Sequence, residues 1–196
     1  AMYRAVTLYF LDHHVSVTNP KEVHRALQQI NISFKINAKG VTETFLNGLS
    51  VEDEIRQLRV SEQVSPVSAI KEVREAMVVQ QRRLGKERGI VMDGRDIGTV
   101  VFPKAELKLF MTADLMVRAS RRQQEWLAQD RLVDLDEVIE NIKKRDHIDT
   151  TRAESPLRQA EDAMVIDTTH ITIDEQVDKV VRMAFSKIVT MRKTTR

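Results

Sequence analysis

Residues 89–103 read Gly-Ile-Val-Met-Asp-Gly-Arg-Asp-Ile-Gly-Thr-Val-Val-Phe-Pro, GIVMDGRDIGTVVFP, and set Asp93, Arg95 and Asp96 between two apolar runs. The first run, GIVMD at 89–93, is one of three short apolar segments, the others being ELKLFMTA at 106–113 and AMVIDTT at 163–169. Each is parted from the next by enough chain for a helical crossover or a longer excursion, and each ends in polar residues. That pattern predicts parallel strands wrapped by helices, an α/β fold. Such sheets bind ligands outside the carboxyl ends of their strands. Asp93, Arg95 and Asp96 are therefore expected at the mouth of the sheet.

Upstream the period changes twice. In AMYRAVTLYFLDHHVSV, Met2, Val6, Tyr9 and Phe10 recur at helical spacing, and KEVHRALQQI reads as a second amphipathic helix with Pro20 near its first turn. Ile32, Phe34 and Ile36 then alternate with polar residues, Ala38-Lys39-Gly40 turns the chain, and VTETFL returns to Asn47-Gly48, which together describe a hairpin. From Val51 to Leu84 the pattern is helical again. A break is expected at Ser65-Pro66, with the serine as N-cap and the proline at the first helical position.

Composition narrows the class. The 196 residues suffice for one substantial core, with room for a small inserted lobe. Against 29 acidic residues stand 31 Lys and Arg, a near-balance that argues against a nucleic-acid binder, and aromatics at 5% are too few for base-stacking platforms. There is no cysteine, which excludes disulfides, thiolate-zinc sites and a cysteine nucleophile. No apolar run approaches a membrane span and no signal-peptide pattern opens the chain, so a soluble cytoplasmic protein is expected. The histidines show no metal-ligand spacing and the serines no nucleophile elbow.

Two helical segments carry charge in a telling order. In DLDEVIENIKKRDHIDTTR, residues 135–153, the apolar stripe Leu135, Val138, Ile139 and Ile142 continues by helical steps onto Arg145, Asp149 and Arg152. Those three face the core or a cleft, unless the helix outruns the core and they are solvated. Arg118, Arg121 and Arg122, at i, i+3 and i+4, share a helix face and could converge on phosphate. On spacing alone a solvated face reads slightly better. With Arg4, Arg74, Arg95, Arg145 and Arg152, however, the arginines suggest a ligand bearing several phosphates. No G-x-x-x-x-G-K-[ST] phosphate loop occurs among the six glycines.

From Met2 to about Thr172 the chain resembles the bacterial-type cytidylate kinases, of the nucleoside monophosphate kinase branch of P-loop folds. The likeness rests on MYRAVTLY, FLNG with the following Ile55-Arg56, SPVSAIKEVREAM, VMDGRDIGTVVFP, RASRR, KKRDHIDTTRAESPL and AEDAMVIDTT, of which DGRDIGTVVFP is highly specific. The resemblance implies a P-loop NTPase-like parallel sheet with flanking helices in a single domain, residues 1–196. An inserted monophosphate-binding lobe would occupy about residues 27–64 and a helical lid about residues 114–134. It implies ATP as phosphoryl donor, Mg²⁺ as cofactor and CMP or dCMP as acceptor.

The resemblance also implies roles, residue by residue. Tyr3 and Arg4 would line the monophosphate site, with Arg4 on the phosphate. Ser65, Arg74 and Asp96 would read the cytosine edge. Arg95 would hold the acceptor phosphate and Asp93 would lie near the magnesium ion. Arg145 and Asp149 would contact the ribose and Arg152 another phosphate. Arg118, Arg121 and Arg122 would close over the transferred group.

The family's opening strand, glycine-rich phosphate loop and first helix have no counterpart in these residues. A chain without them is expected to be weak or inactive in transfer, since the loop supplies much of the electrostatic stabilisation. The alternative expectation is a pyrimidine-monophosphate binder without turnover. The intact family implies a monomer, and a sheet left with an unpaired edge could dimerise.

Overall fold

The computed structural model describes residues 1–86, 89–128 and 130–194. The chain divides into two compact units, one of Ala1–Met92 with Ile148–Pro156, the other of Asp93–His147 with Leu157–Arg196.

The first unit is built around α1, Met2–Asp12, buried on most of its circumference through Met2, Ala5, Val6, Leu8, Tyr9 and Phe10. Helix α2, Pro20–Gln29, has Pro20 in its first turn as expected; the Asn19 side chain caps it by accepting from the Lys21 amide, and Val23 and Ala26 face inward. Strands β1, Ile32–Ile36, and β2, Thr42–Leu46, pair antiparallel from Ile32 opposite Leu46 to Ile36 opposite Thr42. The Asn37 side chain closes their turn by accepting from the amides of Lys39 and Val41.

Asn47 and Gly48 both take positive φ, 51° and 86°, and form the tight reversal such a pair favours. That reversal adds a short third strand, β3, Leu49–Ser50, to the hairpin. Glu52 then pins the segment after β3 to β2: its carboxylate accepts from the Thr44 amide at 3.0 Å and from the Arg56 guanidinium.

The break expected at Ser65-Pro66 lies elsewhere. Helix α3 runs Leu58–Ala69 with Pro66 inside it, and the chain turns at Ile70, in extended backbone, before α4, Lys71–Leu84. Proline forfeits one backbone donor in a helix. Here Val60, Val64 and Val67, a buried stripe at 3–4 spacing, run past the proline and keep the helix on the core.

In the second unit β4, Leu109–Thr112, and β5, Met164–Asp167, pair in parallel, Leu109 opposite Met164 through Thr112 opposite Asp167. Two of the three expected strands are thus present. The third, at 89–93, does not form: residues 89–92 are irregular and Val91 is 101% exposed. A strand exists only through a partner, and among the described residues none pairs with this run.

Beyond it the chain winds into a short π-helix, Ile97–Val101, with Val101 buried. Helix α5, Leu115–Leu127, is capped by Asp114, whose carboxylate accepts from the Met116 and Val117 amides. Helix α6 spans Leu135–Thr151. Ala119 and Trp126 of α5 and Val138 of α6 form a small core flanked by Leu135, Ile139 and Ile142, so the apolar stripe of α6 faces inward as expected and Trp126 packs locally. Helix α7, Ile173–Thr194, closes the described chain, and no helix among the described residues is long and apolar enough to cross a membrane.

Two measurements test this account. Met77, fully buried on α4, should cost about 2–5 kcal/mol when cut to alanine, read as a lower urea midpoint at unchanged slope. Partial burial pushes the Glu52 carboxyl up, but hydrogen bonds from Arg56 and Thr44 outweigh it and hold the group below its ordinary 4.5. A group lowered on folding adds stability above its unfolded pKa and loses it as pH falls through the folded one. Stability, read by urea denaturation between about pH 6 and pH 3, should therefore fall less steeply on acidification in Glu52→Gln than in the unaltered chain. An identical slope would remove Glu52 from the acid response.

Candidate functional site

In the first unit the structure gathers three of the anticipated site residues through a fourth that sequence reading missed. Helix α3 ends at the Ile70 turn, which leaves its last carbonyls without intrahelical partners. Arg74, one turn into α4 and 2% exposed, donates Nη1 to the carbonyl of Ser68 at 3.1 Å. The Ser68 hydroxyl in turn donates to the carbonyl of Ser65 at 3.0 Å. The Arg74 guanidinium lies over the Tyr3 ring, 5.1 Å from its centroid. Tyr3, Ser65 and Arg74 are therefore one assembly, with buried Ser68 as its joint.

Arg4 is held separately. Its Nη1 donates to the Ile55 carbonyl and the Ser61 hydroxyl, both at 2.9 Å, so both hydrogens of that nitrogen are engaged. Asp149 and Arg152, which continue the stripe of α6, are buried as the spacing predicts and not solvated. Arg152 donates Nη1 to Asp149 Oδ1 at 3.0 Å and shares Nε and Nη2, at 3.1 and 2.9 Å, with the carbonyl of Ser155. Arg145 on the same helix, in the second unit, is half-buried.

Asp93, Gly94 and Arg95 form an exposed bend in place of the expected strand end, whereas Asp96 is 2% exposed. The Asp96 carbonyl accepts from the Val100 and Val101 amides at 2.9 and 3.2 Å, which winds the π-helix. A Cβ on Gly94 would lie 2.8 Å from Cγ1 of Ile97, so the bend and the π-helix meet closely there.

The three arginines of α5 do not converge in this structure. Arg118 donates to Asp146 at 2.7 Å and to the Ala113 carbonyl at 3.2 Å. Arg121 reaches the end of β5, donating to the Thr168 carbonyl at 2.6 Å, the Thr168 hydroxyl at 3.2 Å and the Ile171 carbonyl at 3.4 Å. Arg122 pairs with Glu125 and covers the Trp126 ring at 5.1 Å. The three oxygens that accept from Arg121 are neutral, and among the described residues no ion pair of Arg121 is found.

At the same strand end the Thr169 hydroxyl and amide donate to Asp167, at 2.6 and 2.9 Å, and hold its carboxyl below the ordinary aspartate range. Of the missed residues, Ser68, Asp146 and Thr168 lie in stretches quoted above, whereas Ser61 lies in a run read only as helical. Their partners stand 28 to 57 positions away, except for Ser68, which joins groups 3 and 6 positions off.

Residues 1–186 match the family model described as cytidylate kinase. The chain is 58% identical over 192 residues to the cytidylate kinase of Cytophaga hutchinsonii, covering 97% of this chain and 82% of that protein. It is 53% identical over 180 residues to the cytidylate kinase of Parabacteroides distasonis, covering 90% and 79%. With that of Flavobacterium psychrophilum it shares 49% identity, covering 90% and 80%. The parallel strands with flanking helices accord with a P-loop NTPase-like kinase fold, and a match of this extent and identity shows that the chain belongs to the cytidylate kinase family.

Proposed function

We propose that the chain moves the γ-phosphoryl group of ATP onto a phosphate oxygen of CMP or dCMP. A bond forms between that oxygen and the γ-phosphorus while the β–γ bridging oxygen leaves with ADP, giving CDP or dCDP. One observation carries the reading: Arg121 is fixed by three neutral oxygens and keeps a full positive charge. Phosphoryl transfer depends on such pre-placed charge, because the protein does little covalent chemistry.

The remaining roles follow the family resemblance, residue by residue. Arg4, Arg95 and Arg152 are assigned to the acceptor phosphate, and Tyr3 to the wall of its site. Ser65, Arg74 and Asp96 are assigned to the cytosine edge, and Arg145 and Asp149 to the ribose. Arg118 and Arg122 join Arg121 over the transferred group, as part of a lid at about residues 114–134. Residues of about 27–64, the three-stranded hairpin among them, form the lobe over the acceptor, within one kinase domain spanning the chain.

Mg²⁺ binds through one or two carboxylates together with phosphates and waters. Exposed Asp93 fits that need, and the ion would offset charge on the phosphates. A chain without cysteine suits a reducing cytoplasm, where we place it.

A second reading, acceptor binding without turnover, is favoured by the assembly of Tyr3, Ser65, Ser68 and Arg74 within one unit. CMP-dependent ADP formation by the purified chain supports transfer. Saturable CMP binding without ADP supports the second reading, and no CMP binding overturns both.

Base choice is tested at Asp96. Its carboxylate would accept from the exocyclic amine of cytosine, and a charge-assisted hydrogen bond is worth roughly 1.5–3 kcal/mol. Asp96→Asn should therefore weaken CMP by about 10- to 100-fold and UMP by less, read by calorimetry. Equal losses for the two nucleotides would mean that Asp96 serves only to shape its loop.

A further inference from the structure

Among the described residues four besides glycine have positive φ, and one of them, Ser155 at +47°, touches a residue assigned to the ligand. L side chains rarely take this left-handed region, and serine lacks the enrichment that asparagine and aspartate show there. The next residue is Pro156, which further disfavours helical conformations in the residue before it. Such a conformation persists only where its surroundings over-determine it. Here the surroundings include Arg152, whose Nε and Nη2 both donate to the Ser155 carbonyl, at 3.1 and 2.9 Å.

The consequence falls on the arginine. Two donors on one edge of the planar guanidinium share the Ser155 oxygen, and Nη1 is fixed by Asp149 at 3.0 Å. The side chains of Arg152 and Asp149 are 3% and 4% exposed, so solvent does not compete for these bonds. Oxygens on two sides of the group fix both its position and the tilt of its plane. Were residue 155 to relax into extended backbone, its carbonyl would swing away and the guanidinium would lose the oxygen that holds its Nε–Nη2 edge.

We propose that Ser155 is a positioning residue. Its left-handed backbone orients Arg152 for the phosphate of a nucleoside monophosphate, and its side chain is incidental to that work. The proposal rests on the reading of Arg152 as a phosphate contact.

The test titrates CMP and cytidine into the full chain by calorimetry, since cytidine lacks the phosphate. Ser155→Val, whose β-branch resists positive φ, should bind CMP at least about tenfold more weakly, with cytidine affinity kept within about twofold. Ser155→Gly, which takes positive φ freely, should bind both ligands as the unaltered chain does. Ser155→Thr imposes a similar restriction in nearly the volume of serine, and replaces the valine variant should that fail to fold.

Unchanged CMP affinity in the β-branched variant, or equal loss of CMP and cytidine, overturns the proposal. Arg152→Met separates the underlying reading: if it leaves CMP affinity unchanged, the assignment of Arg152 to the phosphate falls, and the proposal with it. If Arg152→Met loses CMP and Ser155→Val does not, the proposal alone falls. No CMP binding by the unaltered chain overturns both.

Discussion

A guanidinium withdrawn from bulk water must give its N–H groups to oxygens, and this chain finds those oxygens where its regular elements stop. The last carbonyls of a helix and those just past a strand have no partner within the element. Arg74 takes the Ser68 carbonyl near the end of α3, and Arg152 takes that of Ser155 beyond α6. Arg118 takes the carbonyl of Ala113 directly after β4, and Arg121 that of Thr168 directly after β5. Arg4 takes the Ile55 carbonyl in a single 3₁₀ turn. One requirement, buried polar groups paired, thus ends the elements and seats the arginines in the same contacts.

Seating by carbonyls has an electrostatic consequence. A carbonyl satisfies a donor without cancelling its charge, whereas a carboxylate does both. Arg118 and Arg122 each carry a carboxylate partner, Asp146 and Glu125, on partly exposed side chains, where such pairs contribute little to stability. The Arg152–Asp149 pair is buried, so its desolvation offsets much of its attraction. What that pair supplies best is direction, since the carboxylate fixes one nitrogen while the Ser155 carbonyl fixes the opposite edge. Arg121, with neutral oxygens alone, is the guanidinium on α5 whose charge is most fully preserved.

The same distinction explains what could be read in advance. Properties set within one helical turn or one hairpin were legible: Pro20 in the first turn of α2, the turn at Ala38-Lys39-Gly40, and the burial of Asp149 and Arg152 on the stripe of α6. Properties set by distant partners were not. The run at 90–92 has the composition of a strand, yet a strand needs a neighbour and the sequence does not say which neighbour is there. Pro66 has the look of a helix start, yet the stripe of Val60, Val64 and Val67 outweighs it. The spacing of Arg118, Arg121 and Arg122 placed them on one face correctly, but their ends follow Asp146, Thr168 and Trp126, two of which lie far along the chain. Nothing local marks Ser155 as left-handed, because serine before proline does not favour that region.

The DGRD turn shows how two aspartates three residues apart acquire different surroundings. Asp93 lies in an exposed bend, where a carboxylate stays solvated and can meet phosphates and their counter-ion. Asp96 is carried inward by the π-helix that its own carbonyl begins, and π-turns recur where a side chain must be set off the regular helical path. A carboxylate that has already lost its water discriminates strongly between a partner that donates to it and one that does not, because an unmet buried acceptor is costly. Asp93 and Asp96 thus differ sharply in solvation within four residues, and the backbone winding after Asp96 accompanies that difference.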